Sequence, residues 1–118
     1  ANLSFAEDSA PGSLSASDQD FISVIKAKYR ERTAVNCTQC NYCMPCPSGV
    51  NIPGNFGIYN DAFMHDDPEV ARFLYKIFIS PPEQASACTA CRECEQKCPQ
   101  QIPISEWMPK IHAFLSAG

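Results

Sequence analysis

The chain has 118 residues, 45% of them hydrophobic, and a net charge of −4. That length suffices for one domain with a modest core, and an acidic balance argues against nucleic-acid binding. No apolar run reaches transmembrane length, and the N-terminus, ANLSFAEDSAPG, lacks the basic and apolar regions of a secretory signal.

The first residue is not Met, so the chain reads as an excised fragment or a processed product. Residues 1–17 are rich in Ala, Ser and acidic side chains and read as a linker arm; residues 18–118 read as the folded domain. Leu3 and Phe5 in the arm suit packing on something upstream. Ser17-x-x-Asp20 has the form of a capping box with Asp in place of Glu. After it, Phe21, Ile25 and Lys28/Tyr29 share one face of an amphipathic helix of about 16 residues, with Ile22 beside them. Ile52, Phe56, Tyr59 and Phe63 recur at helical spacing, although Gly54 and Gly57 weaken the signal. Asp67 followed by Pro68 predicts the start of a further helix. Its apolar stripe is Val70, Phe73/Leu74 and Ile77/Phe78, and Pro81-Pro82 ends it. A last helix carries Trp107, Ile111 and Phe114/Leu115, with Pro109 expected in its first turn because an interior Pro breaks a helix. Alternating β-branched runs are nearly absent, which predicts an all-α domain.

Between these helices lie all eight cysteines, in two runs. The first is CTQCNYCMPCP, with Cys37, Cys40, Cys43 and Cys46 closed by Pro47. The second is CTACRECEQKCP, with Cys88, Cys91, Cys94 and Cys98 closed by Pro99. The motif CTxCxxC recurs at an offset of 51, and the tails CPSGVNI and CPQQIPI match at an offset of 52. Val50 thereby pairs with Ile102, and Ile52 with Ile104. Two such halves suggest a pseudo-two-fold pair of sites. Without an export signal a reducing cytoplasm is expected, where clustered cysteines bind metal more often than they pair as disulfides.

Two C-x2-C-x2-C runs each ending in Cys-Pro are the signature of two [4Fe–4S] clusters. Thiolate is a soft ligand suited to iron–sulfur cores, and short spacings wrap a tight loop around one cube. Four disulfides are a weaker reading, because closely spaced neighbours pair poorly and the Cys-Pro ends would have no reason to recur. Two zinc sites fit C-x2-C pairs but not runs of four. With about −2 added by each loaded cluster, the net charge would approach about −8, favouring a partner with a basic surface.

In two-cluster ferredoxins the fourth Cys of each run serves the other cluster. By that resemblance cluster I would take Cys37, Cys40, Cys43 and Cys98, and cluster II would take Cys88, Cys91, Cys94 and Cys46. Pro47 and Pro99 would turn the chain away after the crossing ligand. Val50, Ile52, Ile102 and Ile104 would cover the cubes. His65 reads as a solvated loop residue and His112 as a surface residue of the last helix, since eight Cys already suffice. Tyr42 suits shielding of a cluster or plain packing equally. Trp107 reads as core. Arg72, Lys76, Arg92, Lys97 and Lys110 could form a basic docking face, though scattered cations are more often solvated surface.

The stretch CTQCNYCMPCPSGVNIPGNFGIYNDAF closely resembles the C-terminal ferredoxin-like domain of a group of bacterial aldo/keto reductases. The later CTACRECEQKCPQQIPI and the GSLS at 12–15 match the same pattern. One departure is Gln39, where such runs often have Gly. The resemblance implies an α-helical ferredoxin fold and an upstream TIM-like barrel that binds NAD(P)H and reduces a carbonyl. These 118 residues hold neither a glycine-rich nucleotide loop nor an assembled acid–base site. No catalysis is therefore expected of them alone. The leading expectation is a cytoplasmic electron-transfer module between that barrel and a one-electron carrier protein. The alternatives are clusters that act only as folding staples of an interaction domain, and a zinc-binding adaptor.

Overall fold

The computed structural model describes residue 3 and residues 9–117. The described residues are helical and contain no strand, as the missing alternation predicts. The chain divides between Glu31 and Arg32 into two compact units.

The first unit holds nearly all of α1 (Ala16–Arg32). The helix forms where the periodicity places it, but its capping box lies two residues earlier than expected. Ser15 N–H donates to Asp18 Oδ2 (3.0 Å) and Asp18 N–H donates to Ser15 Oγ (3.2 Å). The sequence SASDQD offers the S-x-x-D pattern twice, and the earlier copy is the one that closes. No residue of α1 is buried; Phe21 is 66% exposed and Tyr29 61%. Leu3 is exposed. Phe5, and most of the segment expected to join an upstream domain, lie outside the described residues.

The second unit packs α2 (Ile52–Met64), α3 (Pro68–Phe78) and α5 (Ile104–Leu115) against one another. Two short 3-10 turns, Pro81–Glu83 and Ala85–Ala87, and the five-residue α4 (Glu93–Lys97) complete it. Asn51 caps α2 by accepting from Gly54 N–H at 3.0 Å. A Cβ on Gly54 would lie 2.7 Å from the Asn51 side chain, so this cap needs glycine there. The helix ends in a Schellman turn: Asp67 N–H reaches back to Ala62 O, with Asp66 at φ 54°. Asp accepts that left-handed position better than most side chains. Asp67 then caps α3 as expected, accepting from Val70 N–H at 3.0 Å.

The core contains Val50, Ile52, Phe56, Tyr75, Ile104, Met108, Ile111 and Leu115. Burying each of the larger ones contributes about 1.5–3 kcal/mol. Three expectations need correction. Most of the stripe predicted to pack α3 is exposed: Val70, Phe73, Ile77 and Phe78 face solvent and Leu74 is half-buried, while Ala71 and Tyr75 are buried. The inward face is set by small Ala71 allowing close approach and by a polar anchor for Tyr75. Pro109 sits in the second turn of α5 rather than the first. It deprives only the Ser105 carbonyl of an i+4 donor. His112 is half-buried instead of free on the surface, with Nδ1 3.2 Å from the Tyr75 hydroxyl.

Tyr75 belongs to a buried polar knot. Ala85 N–H donates both to its hydroxyl (3.1 Å) and to Asn55 Oδ1 (2.8 Å). Asn55, fully buried, donates in turn to the carbonyls of Asn51 and Glu83. The knot ties α2 and α3 to the segment that enters the second cysteine run. Burial raises the Tyr75 pKa above the usual phenol value, and the Ala85 N–H draws it back partway.

Candidate metal centre

Both cysteine runs lack long helices, and their path is set by left-handed residues at matched places. Gln39 and Ala90 have φ 54° and 56°, Asn41 and Arg92 have 65° and 64°, and Gly49 and Gln101 have 79° and 52°. The first two pairs are 51 apart and the third 52 apart, the offsets of the sequence repeat. The repeat therefore extends to the backbone. Left-handed residues in such turns point successive N–H groups to one side, forming concavities that suit anionic groups and iron–sulfur sites. Five of the six are not glycine, which is why composition alone does not reveal them.

Neighbouring helices clasp each run. Asn60 on α2 holds Val35 by two bonds, Val35 N–H to Oδ1 and Nδ2–H to Val35 O, both 2.8 Å. Arg32 Nη1 donates to the Met64 carbonyl at 3.1 Å. In the second half Glu95 Oε1 accepts from Ser105 N–H (2.8 Å) and Ser105 Oγ (2.6 Å), joining α4 to the first turn of α5. Those two bonds hold the Glu95 carboxyl below its ordinary pKa. Ser48 Oγ and Thr89 Oγ1 lie 2.9 Å apart, bringing the tail of the first run beside the head of the second. Asn60 and Glu95 carry no sequence signal as isolated residues; only their partners reveal them.

All eight cysteines are free thiols. Cys37, Cys40, Cys43 and Cys98 line one hollow, with Ile52, Phe56, Ile102 and Ile104 forming its apolar wall. Three thiols thus come from the first run and the fourth from the second. Burial raises the Cys37 pKa, opposed by a hydrogen bond from the Gln39 backbone, while the nearby Cys40 and Cys98 push it further up. Burial also raises Cys43, and Cys37, Cys40 and Cys98 add to the rise. Cys94 is pushed up to about 11, first by burial, with Glu95, Cys88 and Cys43 adding smaller pushes. Such crowding of thiols is unfavourable once they ionise, unless cations neutralise them. Among the described residues no three Cys, His, Asp or Glu side chains converge on a place for one ion. The first four thiols instead rim a hollow with apolar walls, a donor set that fits an iron–sulfur core.

The other residues singled out by sequence fall as follows. Val50, Ile52, Ile102 and Ile104 are all buried. Tyr42 is 66% exposed and His65 is exposed, the latter as expected. Trp107 is half-buried against the core. Two of the five candidate docking cations are engaged by neighbouring groups. Arg72 pairs with Glu69 (2.5 Å), donates to Phe114 O and stacks over the Phe114 ring, while Lys110 lies over Trp107.

An all-helical fold that brings four thiols from both halves of a repeat around one hollow defines a ferredoxin-like iron–sulfur domain. The chain belongs to the 4Fe-4S dicluster domain family, which matches residues 36–103. Comparison with curated proteins and with solved structures gave no match. No described helix is long and apolar enough to cross a membrane.

Proposed function

We propose that this chain is an electron-transfer module carrying two [4Fe–4S] clusters. The observation that carries the reading is the hollow shared by Cys37, Cys40, Cys43 and Cys98. Cluster I is assigned to these four, and cluster II to Cys88, Cys91, Cys94 and Cys46. The Ser48–Thr89 contact supports the second set, since it joins the segment just after Cys46 to the residue after Cys88. When bound, each cluster would take up and release one electron.

The chain's own residues supply the rest. Buried Val50, Ile52, Ile102 and Ile104 keep water away from the inner faces. Cys40 and Cys91, at matched places in the repeat, are the exposed thiols. Each set is therefore most open to the surface at one ligand, where an external one-electron carrier can approach. The motif resemblance extends the reading to a cytoplasmic parent enzyme of aldo/keto reductase type, whose upstream barrel would use NAD(P)H. In that chain the module relays single electrons between a hydride-handling site and the carrier.

The test is iron and acid-labile sulfide per chain after anaerobic purification, then EPR after dithionite reduction. About eight of each and a spin-coupled signal from two reduced centres are expected. Zinc without sulfide, or loaded clusters that stay silent on reduction, would sink the electron-transfer reading.

A further inference from the structure

Among the positions at which the two halves of the repeat differ, two matched pairs bear on the first hollow. Gln39 in the first run corresponds to Ala90 in the second, and both are left-handed. The offset of 52 that pairs Ile52 with Ile104 also pairs Gly57 on α2 with Pro109 on α5. One half therefore has Gln and Gly where the other has Ala and Pro.

In the first half these two residues meet. A Cβ on Gly57 would lie 2.5 Å from Gln39 Nε2, so the bare face of α2 is what lets the amide lie there. Gln39 also lines the hollow of Cys37, Cys40, Cys43 and Cys98. Its side-chain amide makes no hydrogen bond to any described residue, whereas the neighbouring Asn41 amide is committed to Gln39 O at 3.0 Å. Gln39 is exposed, so the rim of this hollow carries an N–H donor open to water, with no protein acceptor, beside a site where four thiolates would gather negative charge. The matched Ala90 has no donor to offer.

We propose that Gln39, seated on Gly57, is a hydrogen-bond donor to the cluster of the first hollow and makes the two centres unequal in potential. The inference rests on the assignment of that hollow to cluster I. A donor near cluster sulfur favours the reduced, more negative state. The centre beside Gln39 is then the more easily reduced, and an electron entering at the Ala90 side moves toward the Gln39 side. The step is a one-electron exchange between the two cores and breaks no bond.

The test is a spectroelectrochemical titration of the full chain, both clusters loaded, with EPR as the readout. Gln39→Ala copies the residue that the matched backbone already accepts. Gln39→Met keeps the bulk over Gly57 and removes the donor. Gly57→Ala keeps the donor and displaces it. Each is expected to lower one midpoint, by about tenfold in the reduction equilibrium for the two Gln39 variants, or about 59 mV for one electron. The other midpoint stays put. Adding Gly57→Ala to Gln39→Ala should change nothing more, because nothing remains to displace.

A Gln39→Met midpoint equal to that of the unchanged chain would overturn the proposal, as would equal shifts of both centres in Gln39→Ala. Either result, with eight iron still bound, leaves the electron-transfer reading intact. An unchanged chain whose loaded clusters cannot be reduced sinks both.

Discussion

Two cysteines in this chain are expected to act across the repeat from where they sit in sequence. Cys98 closes the second run yet lines the hollow of the first three cysteines. Replacing Cys98 by Ala should therefore damage cluster I and spare cluster II, and Cys46→Ala should do the reverse. Iron should fall from about eight to about four per chain in each, with the EPR of the surviving centre differing between the two variants. Identical residual spectra would refute the crossing. At α1 a carboxylate reports on a cap. Asp18 is held below its ordinary pKa of 3.8 first by the Ser15 hydroxyl and then by the Ser15 backbone N–H. A depressed carboxylate stabilises the fold above its unfolded pKa, and the contribution is lost as pH falls through the folded one. NMR titration should place the Asp18 midpoint below 3.8, with α1 amide shifts following it, and Ser15→Ala should move that midpoint up.

Between elements, polar side chains do what the apolar pattern leaves undone. The Asn55–Tyr75–Ala85 knot sets how α2 and α3 meet the loop that leads to Cys88. Asn55→Ala strands several buried backbone groups at once and should cost about 2–4 kcal/mol. Tyr75→Phe removes one of two acceptors of the Ala85 N–H and should cost about 1 kcal/mol. Anaerobic urea unfolding of both variants would rank them; an equal cost would mean that Asn55 is not the centre of the knot. The exposed apolar face of α3 makes the same point in reverse. Val70, Phe73 and Ile77 follow a good helical period, yet the buried side is chosen by Ala71 and by the anchored Tyr75 hydroxyl.

Across the whole molecule, charge governs encounter. The chain is −4 before any cluster is bound, and two loaded clusters would take it to about −8. Oxidation of the reduced module by a small cationic acceptor should slow as salt is added, and by an anionic acceptor it should quicken. Rates indifferent to ionic strength with both acceptors would mean that net charge does not govern approach to Cys40 and Cys91. The pseudo-two-fold arrangement has its own consequence. Left-handed residues recur at matched places in both halves, and among the differences between them Gln39 against Ala90 and Gly57 against Pro109 are where the halves can take different tasks.

The sequence by itself determined the donor set, the repeat, the helical class and most helix positions. These rest on local spacing: cysteines two residues apart, apolar residues three or four apart, and Asp-Pro at a helix start. It placed the capping box of α1 two residues late and Pro109 one turn early, because each pattern has a close competitor a few residues away. Only the tertiary structure decided which cysteines share a hollow, which face of α3 turns inward, and that Asn60 and Glu95 clasp the two runs. Those outcomes depend on contacts between residues far apart in the chain. A left-handed Gln or an ordinary Glu carries no mark of its partner until the backbone brings the two together.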